Sequence, residues 1–308
     1  MKVAVLDDYQ KAAEQMVDWS ELPDGMELQV FTDHLADPSQ LTARLKDSQI
    51  IMGMRERTPF PRSLLVQLPE LRLLITTGDH NAAFDLEAAT ELGIVVSGTG
   101  AAGEGPTELT WGLILGLMRN LPQEDRRTRQ GSWGTTVGAG LKDRRLGLLG
   151  LGHIGTRMAR VGQAFDMKIL AWSQNLSARR AAECGATLVD KESLFRESDI
   201  VSIHVRLGDR TRGLIGASEL DLMKPSAYLV NTSRGQIVQE KALIDALERG
   251  TIAGAALDTF DVEPLPAEHP FLRLPNMILS PHLGYVTQEN YRVYYTGVLE
   301  SIQAFCKG

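Results

Sequence analysis

Residues 145–175 constrain this chain more than any other stretch. A short apolar run at 146–149 reads as a buried parallel strand. It breaks into Gly150-Leu151-Gly152-His153-Ile154-Gly155, which opens a helical pattern through Met158, Val161 and Phe165. A second apolar run at 168–172 completes a βαβ unit with its glycines at the first turn. Gly150 permits the tight turn, Gly152 lets the backbone approach a pyrophosphate, and Gly155 lets helix and strand pack closely. The phosphate would sit on unpaired N–H groups at the helix N-terminus. Strands on both sides, at the right spacing, favour dinucleotide binding over a merely architectural turn. One part of the pattern is missing. An acidic residue should end the second strand and grip the adenine ribose, but Ser173, Gln174 and Asn175 stand there.

The rest of the chain alternates in the same way. Strands are expected at 3–6, 27–31, 48–54, 71–76 and 94–97, with helices at 11–19, 41–45, 61–68 and 84–92. Strand–helix alternation implies a first doubly wound parallel sheet of about a hundred residues. A glycine-rich stretch at 98–106 reads as a hinge, and 107–118 as a helix apolar on most faces. Residues 121–141 read as irregular. Beyond the glycine turn, strands are expected at 200–205, 227–230, 253–257 and 277–280, and helices at 240–249 and 291–305.

A length of 308 residues allows two ordinary domains. The formal net charge of −7 argues against a general nucleic-acid binder. No apolar run is long enough to span a membrane. The start of the chain is charged within eight residues and reads as a strand, not a signal peptide. Cys184 and Cys306 form no metal-type spacing and no disulfide framework, so no metal is expected and a cytoplasmic setting is.

The polar residues at strand ends carry the chemistry, because ligands of open parallel sheets bind beyond the carboxyl ends of the strands. In the second half those ends deliver Gly150 and Gly152, then Arg234, then Asp258 with Glu263, then His282. This set suits hydride transfer at a carbonyl beside a carboxylate. A proton must reach the carbonyl oxygen, and histidine titrates near neutrality, which suits transfer in either direction. A neighbouring carboxylate favours the imidazolium and fixes the ring. Arginine offers a planar fork for a carboxylate and a positive charge near a developing alkoxide.

With these motifs in view the chain resembles the D-isomer-specific 2-hydroxyacid dehydrogenases, which include D-3-phosphoglycerate dehydrogenase, glyoxylate/hydroxypyruvate reductase and formate dehydrogenase. The matching segments are the Gly150–Gly155 turn, Asn231-Thr232-Ser233-Arg234-Gly235-Gln236-Ile237-Val238, the stretch from Ala256 through Asp258 and Glu263 to Pro266, and Ser280-Pro281-His282-Leu283-Gly284. The resemblance implies two doubly wound α/β domains: a Rossmann cofactor domain, 99–285, inserted into a flavodoxin-like substrate domain, 1–98 plus 286–308. It implies a homodimer joined through the cofactor domains and a small 2-oxo or 2-hydroxy acid as substrate. His282 matches the general acid/base, Glu263 its paired carboxylate and Arg234 the substrate-binding arginine. His153 and Ile154 match pyrophosphate contacts, Val205 an adenine contact, Thr232 and Ser233 contacts beside the nicotinamide ribose, and Asp258 a carboxamide contact. Gly284, with His282, would edge the cofactor.

Two departures from the family pattern bear on specificity. The substrate-side loop reads Gly78-Asp79-His80, with Asp79 and His80 replacing neutral, small residues. Asp79 would repel a carboxylate unless it points away, and His80 is a candidate substrate contact. Arg55, at the end of a strand, is expected to hold a distal phosphate or carboxylate. At the ribose, Ser173 with Gln174 removes the usual selection against NADP, and Arg206 is a candidate 2′-phosphate partner. NAD is the family's default, and NADP remains open. The expected activity is a D-2-hydroxyacid dehydrogenase, with 3-phosphoglycerate among the candidate substrates. The alternatives are an NADPH-preferring glyoxylate/hydroxypyruvate reductase and a nucleotide-sensing scaffold resembling the C-terminal-binding-protein corepressors.

Overall fold

The computed structural model describes the whole chain, Met1–Gly308. It divides into two compact units, Met1–Gly103 with Val286–Gly308, and Glu104–Tyr285. Every strand pairing is parallel.

The first unit runs β1 (Lys2–Val5), α1 (Ala13–Met16), β2 (Glu27–Val30), α2 (Pro38–Leu45), β3 (Ile50–Gly53), α3 (Arg62–Leu65), β4 (Leu73–Thr76), α4 (Leu86–Glu91) and β5 (Val95–Gly98). Its sheet order β2-β1-β3-β4-β5 is the flavodoxin-like doubly wound order. β3 and β4 are buried throughout, as a sheet covered on both faces requires. On one face Leu41, Leu45, Phe60, Leu64 and Ala88 close over the sheet.

The second unit begins with α5 (Gly105–Met118) and α6 (Leu121–Arg129). It continues β6 (Arg145–Leu149), α7 (His153–Ala164), β7 (Lys168–Trp172), α8 (Ala178–Glu183), β8 (Thr187–Leu188), α9 (Lys191–Glu197) and β9 (Ile200–Ile203). Then come α10 (Ala217–Leu222), β10 (Tyr228–Asn231), α11 (Glu240–Glu248), β11 (Gly254–Leu257) and β12 (Met277–Leu279). The order β12-β11-β10-β9-β6-β7-β8 is the Rossmann order with one strand added at the β11 edge. Two buried clusters sandwich this sheet, one built on Ile114, Met158 and Ala159, the other on Phe195, Leu220 and Leu243. The closing helix α12 (Gln288–Lys307) returns to the first unit, where Tyr295 Oη donates to the buried Asp8 carboxylate (3.1 Å).

Two local expectations differ from the structure, and α8 lies where no element is expected. Residues 121–141 are not irregular throughout, because α6 occupies the start. It is polar all round and has no apolar stripe for periodicity to reveal. It is held by an Asp125–Arg129 ion pair (3.0 Å) and by charges ordered to suit the helix dipole. The expected helix at 11–19 is cut to α1, because Val17 is extended and Asp18 captures the Ser20 N–H to start a new 3₁₀ turn at Trp19. The Ala-rich α8 starts where Ser177 accepts the Arg180 N–H, a short capped element with too few residues to show a period.

Candidate functional site

The glycine turn has the geometry its sequence calls for. Gly150 sits at φ +102°, and a Cβ there would lie 2.7 Å from the His204 carbonyl oxygen and 2.9 Å from Val205 Cγ1. A Cβ on Gly155 would collide with the Gly150 carbonyl, so first and third glycines pack against each other through bare backbone. Gly152 caps α7, and a Cβ there would meet nothing within 4 Å. The turn therefore presents open space at a helix N-terminus, where the first N–H groups lack helical acceptors. These residues fit a pyrophosphate: Gly150, Gly152, His153, Ile154 and Gly155 supply the cradle and the helix dipole.

Around this turn the strand ends fall into place. Ser173, half-buried, and Gln174, exposed, follow β7 and border an open recess of about 570 Å³. Trp172, Leu188, Asp190 and Ser193 help to line it. The volume is that of an ordinary small-molecule site. After β9, Val205 accepts a hydrogen bond through its carbonyl from Ser233 Oγ (2.6 Å), tying the ends of β9 and β10 together. Arg206 beyond it is exposed. His204 keeps a minor part of its surface exposed, but its Nε2 pairs with Ser202 Oγ (2.9 Å) and desolvation pushes its imidazole down to about 4.

Arg234 is set by an Asn turn. Asn231, buried at the end of β10, accepts the Ser233 N–H (3.0 Å) and donates through Nδ2 to the Arg234 carbonyl (2.9 Å). Thr110 of α5 gives its proton to the Pro106 carbonyl (2.6 Å), so Thr232 donates to Thr110 (2.8 Å). Gly235 lets this turn touch the next loop, since a Cβ there would enter the Phe260–Asp261 peptide. That loop carries Glu263, whose Oε1 accepts the Phe260 N–H (2.9 Å). Its Oε2 lies 2.6 Å from His282 Nδ1, with side-chain exposures of 28% and 18%. An ionised carboxylate only accepts, so the shared proton is assigned to Nδ1 and Nε2 is the nitrogen left to exchange a proton.

His282 occupies the left-handed region, φ +55°. What holds it there is Asp258, wholly buried at the end of β11. Its Oδ1 accepts from Ser280 Oγ (2.5 Å) and Leu283 N (2.7 Å), and its Oδ2 from Gly284 N (2.9 Å). Burial pushes the Asp258 carboxyl up, while those hydrogen bonds and the nearby His282 pull the other way. The carboxylate expected to meet a carboxamide is thus engaged with the turn that presents His282. Asn231 and Thr110 were not singled out from sequence. Asn231 had a readable signal, an Asn two residues before a serine at a strand end, and Thr110 had none.

In the first unit, Arg55 also adopts a left-handed conformation, φ +53°. Its N–H donates to Thr77 Oγ1 (2.9 Å), and Nη1 donates to the Thr77 carbonyl (3.0 Å), directly over Gly78. Arg55 and Gly78 are therefore brought together. Asp79 and His80 are exposed beside them.

A Rossmann sheet with a phosphate-ready glycine turn, and a carboxylate–histidine pair beside an arginine turn at its strand ends, define a nicotinamide-dependent oxidoreductase. The family profile of the D-isomer specific 2-hydroxyacid dehydrogenase NAD binding domain matches residues 111–284. A glyoxylate reductase of Aeropyrum pernix is 42% identical over 255 residues, 80% of this chain and 76% of that protein. A D-3-phosphoglycerate dehydrogenase of Methanocaldococcus jannaschii is 36% identical over 273 residues, 87% of this chain but 52% of that protein. The crystal structure of a phosphoglycerate oxidoreductase from Vibrio cholerae O395 superposes with a TM-score of 0.95 at 37% identity, covering 100% of this chain and 99% of that one. This chain belongs to the D-isomer specific 2-hydroxyacid dehydrogenase family.

Proposed function

We propose that this protein reduces a short 2-oxo acid of the glyoxylate or hydroxypyruvate class to the corresponding 2-hydroxy acid, of D configuration where C2 is a stereocentre, with His282 as the general acid. The observation that carries this reading is the His282–Glu263 contact at 2.6 Å, in the unit that also carries the glycine turn. A bound nicotinamide supplies the hydride. Glu263 holds the Nδ1 proton, steadies the positive ring and leaves Nε2 to deliver a proton to the substrate oxygen. Arg234 binds the substrate carboxylate, and its charge stabilises the developing alkoxide. Asp258 builds the turn that aims His282. Val205, Thr232, Ser233 and Gly284 are proposed as cofactor contacts, and Arg55 with Gly78 as anion contacts for the substrate. Asp79 and His80, both exposed, are proposed to lie at the margin of that contact.

The substrate class rests on relatives of two kinds. The Aeropyrum glyoxylate reductase is 42% identical, against 36% for the Methanocaldococcus phosphoglycerate dehydrogenase, half of which the chain spans, and 37% for the Vibrio phosphoglycerate oxidoreductase, which it spans almost whole. A homodimer is proposed, with Trp133 and Val137 of the second unit, 88% and 98% exposed, as candidate apolar contacts. No helix is long and apolar enough to cross a membrane. The free Cys184 and Cys306 support the proposed cytoplasmic setting. The test is NADH and NADPH consumption with glyoxylate, hydroxypyruvate and pyruvate, and the reverse reaction with 3-phosphoglycerate. Turnover of the short 2-oxo acids is expected. Preferential oxidation of 3-phosphoglycerate would overturn the substrate class, and nucleotide binding without turnover of any substrate would favour a scaffold.

A further inference from the structure

The absence of a carboxylate after β7 removes the usual device for telling NAD from NADP, and the walls of the neighbouring recess bear on what replaces it. Ser173 and Gln174 border that recess from the end of β7; Leu188, Asp190 and Ser193 border it from β8 and the start of α9. Asp190 is the one ionisable side chain that lines it. Its Oδ1 accepts the Ser193 N–H (2.7 Å) and its Oδ2 the Ser193 hydroxyl (3.0 Å). These bonds hold its carboxyl below the usual carboxylate range, so it is anionic at neutral pH. A carboxylate offers about four acceptor sites, and Ser193 uses two of them.

Of the arginines that would welcome a phosphate, Arg179 and Arg180 are paired elsewhere, and Arg206 is not among the lining residues. Arg179 pairs with Glu183 (3.0 Å). Arg180 donates to Thr156 Oγ1 (3.1 Å) and lies 3.8 Å from the same glutamate. Neither they nor Arg206 line the recess. Its fixed charge is therefore negative, although the residue expected to make it so is a serine.

We propose that Asp190 has taken over the discrimination that a carboxylate at position 173 would exert, repelling a 2′-phosphate and offering free acceptor sites to a ribose hydroxyl, so that the protein selects NAD over NADP. This rests on the second unit being a nicotinamide dinucleotide site. One carboxylate facing a phosphate dianion across several ångströms of solvated recess contributes roughly tenfold in affinity. Salt screens such an exposed pair.

The experiment measures Kd for NADH and NADPH by calorimetry on the full chain, for wild type, Asp190→Asn and Asp190→Ser. Asparagine and serine both cap helices as well as aspartate does, so α9 is kept. Wild type is expected to bind NADH about tenfold or more tighter than NADPH. Both variants should gain roughly tenfold for NADPH while NADH changes by less than about threefold. Raising ionic strength should narrow the wild-type ratio and leave the variants' ratio unchanged. A wild type that prefers NADPH, or variants with the wild-type ratio, would overturn the role of Asp190 while leaving the dinucleotide site standing. A wild type that binds neither nucleotide would overturn both.

Discussion

Replacing Glu263 with glutamine changes one atom at the centre of the pair with His282. Two donors converge on this side chain, the Phe260 N–H at 2.9 Å and His282 Nδ1 at 2.6 Å. The carboxylate accepts both. An amide has one acceptor oxygen, so one donor must face an NH₂ group. If the oxygen stays with Phe260, the ring nitrogen loses its partner and its preferred tautomer. If the amide flips, the 260–263 loop loses its internal tie. In either case the imidazolium loses its anionic partner, and with it the ion-paired hydrogen bond, a contribution of about 1.5–3 kcal/mol in a mostly buried setting. At 1.36 kcal/mol per decade, kcat for 2-oxo acid reduction should fall by roughly 10- to 150-fold. The glycine turn lies on a separate segment, so Kd for NADH should not move. The assay is steady-state NADH consumption at saturating 2-oxo acid, with nucleotide titration alongside. Adding the change to His282→Ala should cost little more than His282→Ala alone, because the two act as a unit. A kcat within about threefold of wild type, under 1 kcal/mol, would refute the coupling.

Arg234→Ala should lose most in kcat/KM, since binding and charge stabilisation go together; an unchanged kcat/KM in the same assay would remove Arg234 from the substrate site. Gly150→Ala places a Cβ against the His204 carbonyl at φ +102°. It should lower stability by about 1–3 kcal/mol and weaken NADH binding, as read by urea unfolding and calorimetry. His204 gives a pH prediction. Its folded value of about 4 lies below the usual 6.5, so its contribution is present above pH 6.5 and is lost as pH falls through about 4. Wild type should lose about 2–3 kcal/mol across that window from this group, and His204→Gln should lose correspondingly less in urea unfolding followed from pH 7 to 4.

The parts of the fold that sequence revealed are those with local causes. The glycine turn is legible because strand, turn and helix occupy about thirty consecutive residues, and Gly150 and Gly155 meet inside that span. Arg234, Glu263 and His282 are legible as polar residues at strand ends, where a parallel sheet presents its ligands. What stayed hidden depends on contacts far apart in sequence. Asp258 supports His282 through donors 22 to 26 residues away, which no spacing announces. Asp190 is not singled out by the sequence; it caps α9, and becomes a wall of the recess once β8 lies beside β7. Helix α6 escapes because its stability comes from charge order, not from an apolar face.

The role of His282 is tested most directly by the rate of hydride transfer in a single turnover, NADH-loaded protein mixed rapidly with glyoxylate, for wild type and His282→Ala. The variant should be about 10²–10⁴-fold slower, the usual range for a lost general acid, with NADH affinity retained. Equal rates in the two proteins would contradict general acid catalysis by His282, and would leave the His282–Glu263 pair a structural feature with no part in the chemistry.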